Sequence, residues 1–212
     1  MIYNFPRKKR NLITNYLTFS SPNPFSISVE TPGWNGKLYC STDTKTWAEW
    51  TGTEVNATEV GGTYALYFNG TGNTKITGGD SYKWTLNGSS ISCTGNIESL
   101  LDYETVAAGQ HPAMAEKCYR NMFSGCTSLT TAPSLPATTL AFYCYSYMFY
   151  GCTSIKLAIS KSREYDKEYR IPKSGNGVTA SSALNNMFTQ TGGTFTGTPS
   201  INTTYYTSNT IV

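Results

Sequence analysis

"MFSGCTSL" occupies residues 122–129 and "MFYGCTSI" occupies residues 148–155, an offset of 26. Laid over each other, the two copies pair Ala115 with Ala141, Cys118 with Cys144, Tyr119 with Tyr145, Met122 with Met148 and Phe123 with Phe149. The positions between them change: Glu116/Phe142, Lys117/Tyr143, Arg120/Ser146, Asn121/Tyr147 and Ser124/Tyr150. Kept residues at i, i+3, i+4, i+7 and i+8 form one stripe of an α-helix. The pattern predicts a helix in each copy, with a fixed inner face and a free outer one. Gly125 and Gly151 stand where a helix C-cap needs positive φ, and the Cys-Thr-Ser that follows leads into a short strand. A helix, a turn and a short strand in ~26 residues make one coil of a leucine-rich-type solenoid.

A third, degenerate copy is visible in "NMFTQTGGTFTGTPSI" at 186–201, where Asn186, Met187 and Phe188 answer to Asn121, Met122 and Phe123. It follows the second copy by 39 residues rather than 26, and the excess falls in the polar stretch "KSREYDKEYRIPKSGNG" (161–177), which reads as a protruding loop or hairpin. This copy lacks the cysteines, as a terminal cap does. The expected repeat core is Cys118, Tyr119, Met122, Phe123, Cys126, Cys144, Tyr145, Met148, Phe149, Cys152, Met187 and Phe188. Stacked coils would bring Cys118 near Cys144 and Cys126 near Cys152, either as small buried thiols or as disulfides.

Residues 15–95 have another rhythm. "FSISVE" alternates Phe25, Ile27 and Val29 toward one face, and "KLYCST", "TYALYFNG", "TKITG", "YKWTL" and "SSISCTG" follow between Gly- and Asn-rich turns. Short strands at this spacing predict an antiparallel β-sandwich. "NIESLLDYETVA" and "HPAMAEKCYRNMF" read as helices. The expected fold class is α+β: a basic tail (1–14), an N-terminal antiparallel β-sandwich (15–95), and a leucine-rich-repeat-like α/β solenoid with a C-terminal cap (96–212).

The 212 residues carry a net charge of +3, but Arg7, Lys8, Lys9 and Arg10 supply four positive charges, and without them the balance is −1. "PRKKR" reads as a solvated tail, and with no basic face elsewhere nucleic acid is not an expected partner. No apolar run reaches the ~18 residues of a membrane span, so membrane insertion is not expected. The first residues lack the apolar core of a secretory signal. Aromatic and charged residues each make up 14% of a chain rich in Thr, Ser, Asn and Gly, a composition suited to an extracellular or virion surface.

"CYRNMFSGCTSLTTAPSLPATTLAFYCYSYMFYGCTS" resembles the leucine-rich repeats of the BspA-like surface-protein family, in the Cys-rich variant of gut bacteria and their phages. The ending "YRIPKSGNG…ALNNMFTQTGGTFTGTPSINTTYY" is similar to the terminal cap of that variant. The resemblance implies adhesion or host-surface binding. Cellular members are expected to carry a signal peptide and an anchor, neither of which is visible here, so a phage-borne protein is expected.

Chemistry is sparse. The single histidine, His111, precedes Pro112 and reads as a turn residue, so no Ser/His/Asp or Cys/His set arises and no zinc site is expected. Asp102 with Glu104, and Glu164 with Asp166 and Glu168, sit too close in sequence to face one sugar from two sides. "STDTKTW" (41–47) resembles a shortened Asp-box, which shapes a β-hairpin, and "NGTGNTK" (69–75) reads as a hairpin rather than a phosphate loop. The outer stripe of the second copy, by contrast, gathers Phe142, Tyr143, Tyr147 and Tyr150. Tyrosine offers broad amphipathic area at low entropic cost, so this stripe is the expected binding surface. Two functions are expected in order. The first is a non-enzymatic adhesin, without catalytic residues or cofactor, for a bacterial surface glycan or protein, carried in a phage tail or other virion part. The second is a purely structural virion or surface-layer subunit, whose Tyr face joins copies in a homo-oligomer or meets other virion proteins.

Overall fold

The structure, a computed structural model, describes residues 15–172 and 182–208. The basic tail, the end of the 161–177 stretch and the last four residues lie outside the described residues.

Nine strands form first: β1 (Leu17–Ser21), β2 (Ser26–Val29), β3 (Lys37–Ser41), β4 (Ala48–Trp50), β5 (Val55–Asn56), β6 (Thr58–Val60), β7 (Thr63–Thr71), β8 (Trp84–Asn87) and β9 (Ile91–Thr94). A 3-10 turn (Ile97–Leu100) and the short helix α1 (Tyr103–Ala107) lead into β10 (Leu129–Thr131), β11 (Lys156–Ala158), β12 (Tyr165–Arg170), β13 (Gly192–Gly193) and β14 (Thr204–Ser208). The largest sheet runs β10-β9-β1-β7-β3-β4, with β6 also on β7, and is antiparallel except where β10 joins β9. A second sheet is β5-β2-β8, and a third is β12-β14-β11-β13.

The strands follow from period-2 burial. Leu17, Phe19 and Ser21 are buried along β1 while Thr18 and Ser20 are not, and Phe25, Ile27 and Val29 face the core before and along β2. Trp84 of β8 is 1% exposed and packs the small β5-β2-β8 sheet against the largest one. Its ring lies 4.9 Å from Trp50, 5.3 Å from Phe68 and 6.1 Å from Phe19, and it reaches Phe123 of the repeat at 6.1 Å. The apolar core is continuous from Leu17 to Tyr205.

"STDTKTW" forms the β3–β4 turn. Asp43 accepts from the Lys45 and Thr46 amides at 2.8 Å each, and those bonds hold its carboxyl down at about 2.

The repeat itself folds otherwise than its period suggests. The helices expected at 115–123 and 141–149 are not formed, and no leucine-rich-repeat-like solenoid exists among the described residues. The described residues are nearly all β, in several sheets, and α1 is the one α-helix among them. Each copy is instead a ribbon of successive tight turns. In the first, the amides of Arg120, Met122, Ser124 and Cys126 bond to the carbonyls three residues back, while those of Lys117, Tyr119, Asn121, Phe123 and Gly125 bond across to Phe142, Cys144, Ser146, Met148 and Tyr150. The second ribbon repeats this toward the third, through Tyr145 to Ala183, Tyr147 to Asn185, Phe149 to Met187 and Gly151 to Thr189. A left-handed residue recurs every fourth position: Lys117, Asn121 and Gly125; Tyr143, Tyr147 and Gly151; Ser182, Asn186 and Gln190. Positive φ in the third place of a turn is what lets alternate turns reverse, and glycine or asparagine tolerates it best.

This geometry accounts for the misleading stripe. A helix advances 100° per residue and a four-residue ribbon 90°, so across eight residues the two differ by only about 80°. Both bury residues in adjacent pairs, here 118/119 and 122/123. The helices expected over "NIESLLDYETVA" and "HPAMAEKCYRNMF" shrink accordingly to the 3-10 turn with α1 and to the first ribbon. The strands expected after each Gly-Cys-Thr-Ser are present as β10 and β11. "TKITG" is not a strand, and "NGTGNTK" runs from the end of β7 without a hairpin. Its continuation flanks the first ribbon, where the Ile76 and Thr77 amides both bond to Cys118 O at 2.9 Å. Residues 165–170 of the expected protruding loop are β12, paired with β14, with Tyr169 buried.

Candidate functional site

Stacking the ribbons turns sequence-equivalent positions into columns. Inside, Tyr119 lies parallel to Tyr145 at 5.3 Å, Phe123 on Phe149 at 5.7 Å, and Phe149 on Phe188 at 5.3 Å. Met122, Met148 and Met187 are fully buried beside them, as are Cys118 and Cys144. All six cysteines are free thiols. Burial pushes Cys126 and Cys144 up to about 12, and Cys118 and Cys152 are likewise raised, so none supplies a thiolate at neutral pH. Cys126 Sγ donates to Trp84 O at 3.3 Å and Cys152 Sγ to Phe123 O at 3.0 Å, so two of the thiols satisfy carbonyls of the core.

Outside, two other columns line a groove of about 580 Å³. One is Asn121–Tyr147–Asn186 and the other Ser124–Tyr150–Thr189. The middle ribbon puts a tyrosine in each, with ring centroids 5.7 Å apart and planes tilted by 48°. Asp80, Lys83 and Arg120 complete the walls.

The groove is held in place by its own polar contacts. Arg120 Nε donates to Asp80 Oδ1 at 2.6 Å, and Asn121 Nδ2 donates to the same oxygen at 2.8 Å. The Arg120 bond holds the Asp80 carboxyl below the usual range, so the pair stays ionised. The guanidinium carbon sits 5.3 Å from the Tyr143 ring centre and 5.6 Å from that of Tyr147. Asn186 Nδ2 donates to the Tyr147 hydroxyl at 2.8 Å. Tyr147 is thus fixed at its face and at its tip.

Of the four residues expected to bind, Tyr147 and Tyr150 line the groove. Tyr143 adjoins it through Arg120, and Phe142 stands apart, 45% exposed and against Tyr143 at 4.0 Å. Arg120, Asn121, Ser124, Asn186 and Thr189 are additions, as are Asp80 and Lys83 from the segment flanking the first ribbon. The carboxylates weighed as catalytic do not gather there. Asp102 caps α1, accepting from Thr105 N at 2.9 Å, and also takes Gly72 N at 3.1 Å. Burial alone would raise its carboxyl, but these bonds hold it low. Glu164 lies exposed just before β12, and Glu168 lies exposed on it. His111 Nδ1 is 2.8 Å from the buried Glu98 carboxylate, away from the groove.

Comparison with family models, with curated proteins and with solved structures returned no match.

Proposed function

We propose that the protein is a non-enzymatic binding module that holds a glycan of a bacterial cell surface in the Tyr147–Tyr150 groove, as part of a phage tail or other surface-exposed assembly. The observation that carries this reading is the pair of half-buried tyrosines, Tyr147 held at its face and tip and Tyr150 beside it, flanked by amides and hydroxyls. A sugar ring offers apolar C–H faces and a rim of hydroxyls, and the groove offers rings for the first and Asn186, Ser124 and Thr189 for the second. The resemblance to BspA-like surface proteins points the same way. A single groove of this size binds weakly, and several copies in one assembly would multiply the affinity.

The competing reading, a structural subunit joined through the tyrosine face, rests on Phe142 and its exposure. Binding of fluorescently labelled protein to a panel of Gram-positive and Gram-negative bacteria separates the two. The expected result is saturable binding to a few strains that disappears in Tyr143/Tyr147/Tyr150→Ser. Binding to no strain, together with an oligomer that the triple variant dissociates, would support the structural subunit instead.

A further inference from the structure

Resting on the glycan-binding reading, we propose that the groove selects an acidic sugar, one bearing a carboxylate or phosphate, and that Lys83 is the residue that pairs with its anion.

The inference comes from the charges that remain once internal pairing is counted. Asp80 and Arg120 are bonded to each other at 2.6 Å and cancel locally. The same Asp80 oxygen also takes the Asn121 amide, so the carboxylate has much of its capacity engaged inside the wall. Lys117, which adds to the positive field at Asp80, has its ammonium 3.3 Å from Glu116. Lys83 lines the groove, is exposed, and forms no ion pair among the described residues. The groove therefore keeps one positive charge in excess.

The root of the side chain that carries it is set by the backbone. The next residue, Trp84, donates its amide to Met122 O of the first ribbon at 2.8 Å and buries its ring in the core. Lys83 thus stands beside the groove, one residue before β8, with a long exposed side chain that can reach across. Around it the ring-free walls offer donors: the second hydrogen of the Asn186 amide, the Ser124 hydroxyl and the outer guanidinium hydrogens of Arg120, while the Thr189 hydroxyl donates to Asn186 Oδ1 at 3.2 Å and so orients that amide. Such a set satisfies an anion and its neighbouring hydroxyls better than it satisfies a neutral sugar. Lysine acts here as a point charge, indifferent to whether the anion is planar or tetrahedral, so carboxylate and phosphate both fit.

The test uses the full chain on an array of immobilised bacterial-type oligosaccharides in matched sets: uronic-acid members, their carboxyl-reduced neutral counterparts, and glycerol-phosphate members. The expected result is that acidic members bind about fivefold more tightly than neutral ones at low salt, a margin in the range of a partly exposed ion pair, and lose that margin at high salt. Lys83→Gln abolishes the ratio of acidic to neutral binding, and Lys83→Arg keeps it. Uronate and phosphate sets read separately tell which anion is the better source. Equal binding of acidic and neutral sets, or a preference unchanged in Lys83→Gln, overturns the inference and leaves the glycan reading standing. Binding to no set, with Tyr147 variants indistinguishable from the parent, overturns both.

Discussion

Phe149→Ala is expected to lower the free energy of unfolding by about 3–5 kcal/mol, the range for removing a fully buried aromatic ring. Phe149 has no exposed surface and is the middle of a three-ring column, 5.7 Å from Phe123 and 5.3 Å from Phe188. Its loss opens a cavity that both outer ribbons border, and the hydrogen bonds from Phe123 to Met148 and from Phe149 to Met187 leave the backbone little room to close it. Native domains have about 5–15 kcal/mol in all, so the variant is expected to be partly unfolded near body temperature. Phe142→Ala, two ribbon steps away and exposed, is the contrast: a change within about 0.5 kcal/mol. Equilibrium urea unfolding of the two variants measures the difference.

Gly70→Ala is the second large effect. Gly70 lies near the end of β7, and a Cβ there would collide with the Leu100 carbonyl oxygen and sit 2.7 Å from its carbon. That carbonyl cannot move aside freely, because Asn73 Nδ2 donates to it at 3.0 Å and the Asn73 amide holds Leu101 O at 3.0 Å. The 3-10 turn must lift off the sheet, which breaks the bonds that Asn73 makes to Gly36 and Lys37 as well. Overpacking of this kind costs about 3 kcal/mol or more when the obstacle is backbone. A lowered melting temperature with an unchanged glycan preference is the expected pattern, since Gly70 touches no wall of the groove.

The 26-residue offset carried more of this architecture than any local pattern did. It identified which positions stack inside and which vary outside, because both follow from register alone. The conformation of the ribbon was not legible in the same letters, since a period of four and one of 3.6 bury nearly the same residues over so short a span. The telling signal was Tyr147: equivalent positions hold Asn121 and Asn186, residues that tolerate the left-handed region, and all three have φ between 52° and 58°. Extending the pairing to the third copy would also have aligned Ser124, Tyr150 and Thr189, and so drawn both columns of the groove. Asp80 and Lys83 left no such trace. They reach the site because Trp84 docks on Met122, a contact between segments 38 residues apart that no spacing announces.

Tyrosine at position 147 sits in a conformation it disfavours, at about 1 kcal/mol, where two sister positions use asparagine. Lys117, Tyr143, Ser182 and Gln190 carry the same left-handed φ, and Tyr147 stands out among them because it lines the groove and has asparagine at both sister positions. The most direct test of the groove as a binding site is therefore Tyr147→Asn, measured for melting temperature and for binding to a strain that the parent protein recognises. Relief of strain offsets part of the lost contacts with Arg120, Tyr150 and the Asn186 amide, each worth about 0.5–1 kcal/mol, so the variant should stay folded with a melting temperature lowered by a few degrees while binding falls at least about tenfold. Undiminished binding by the folded variant would contradict the account.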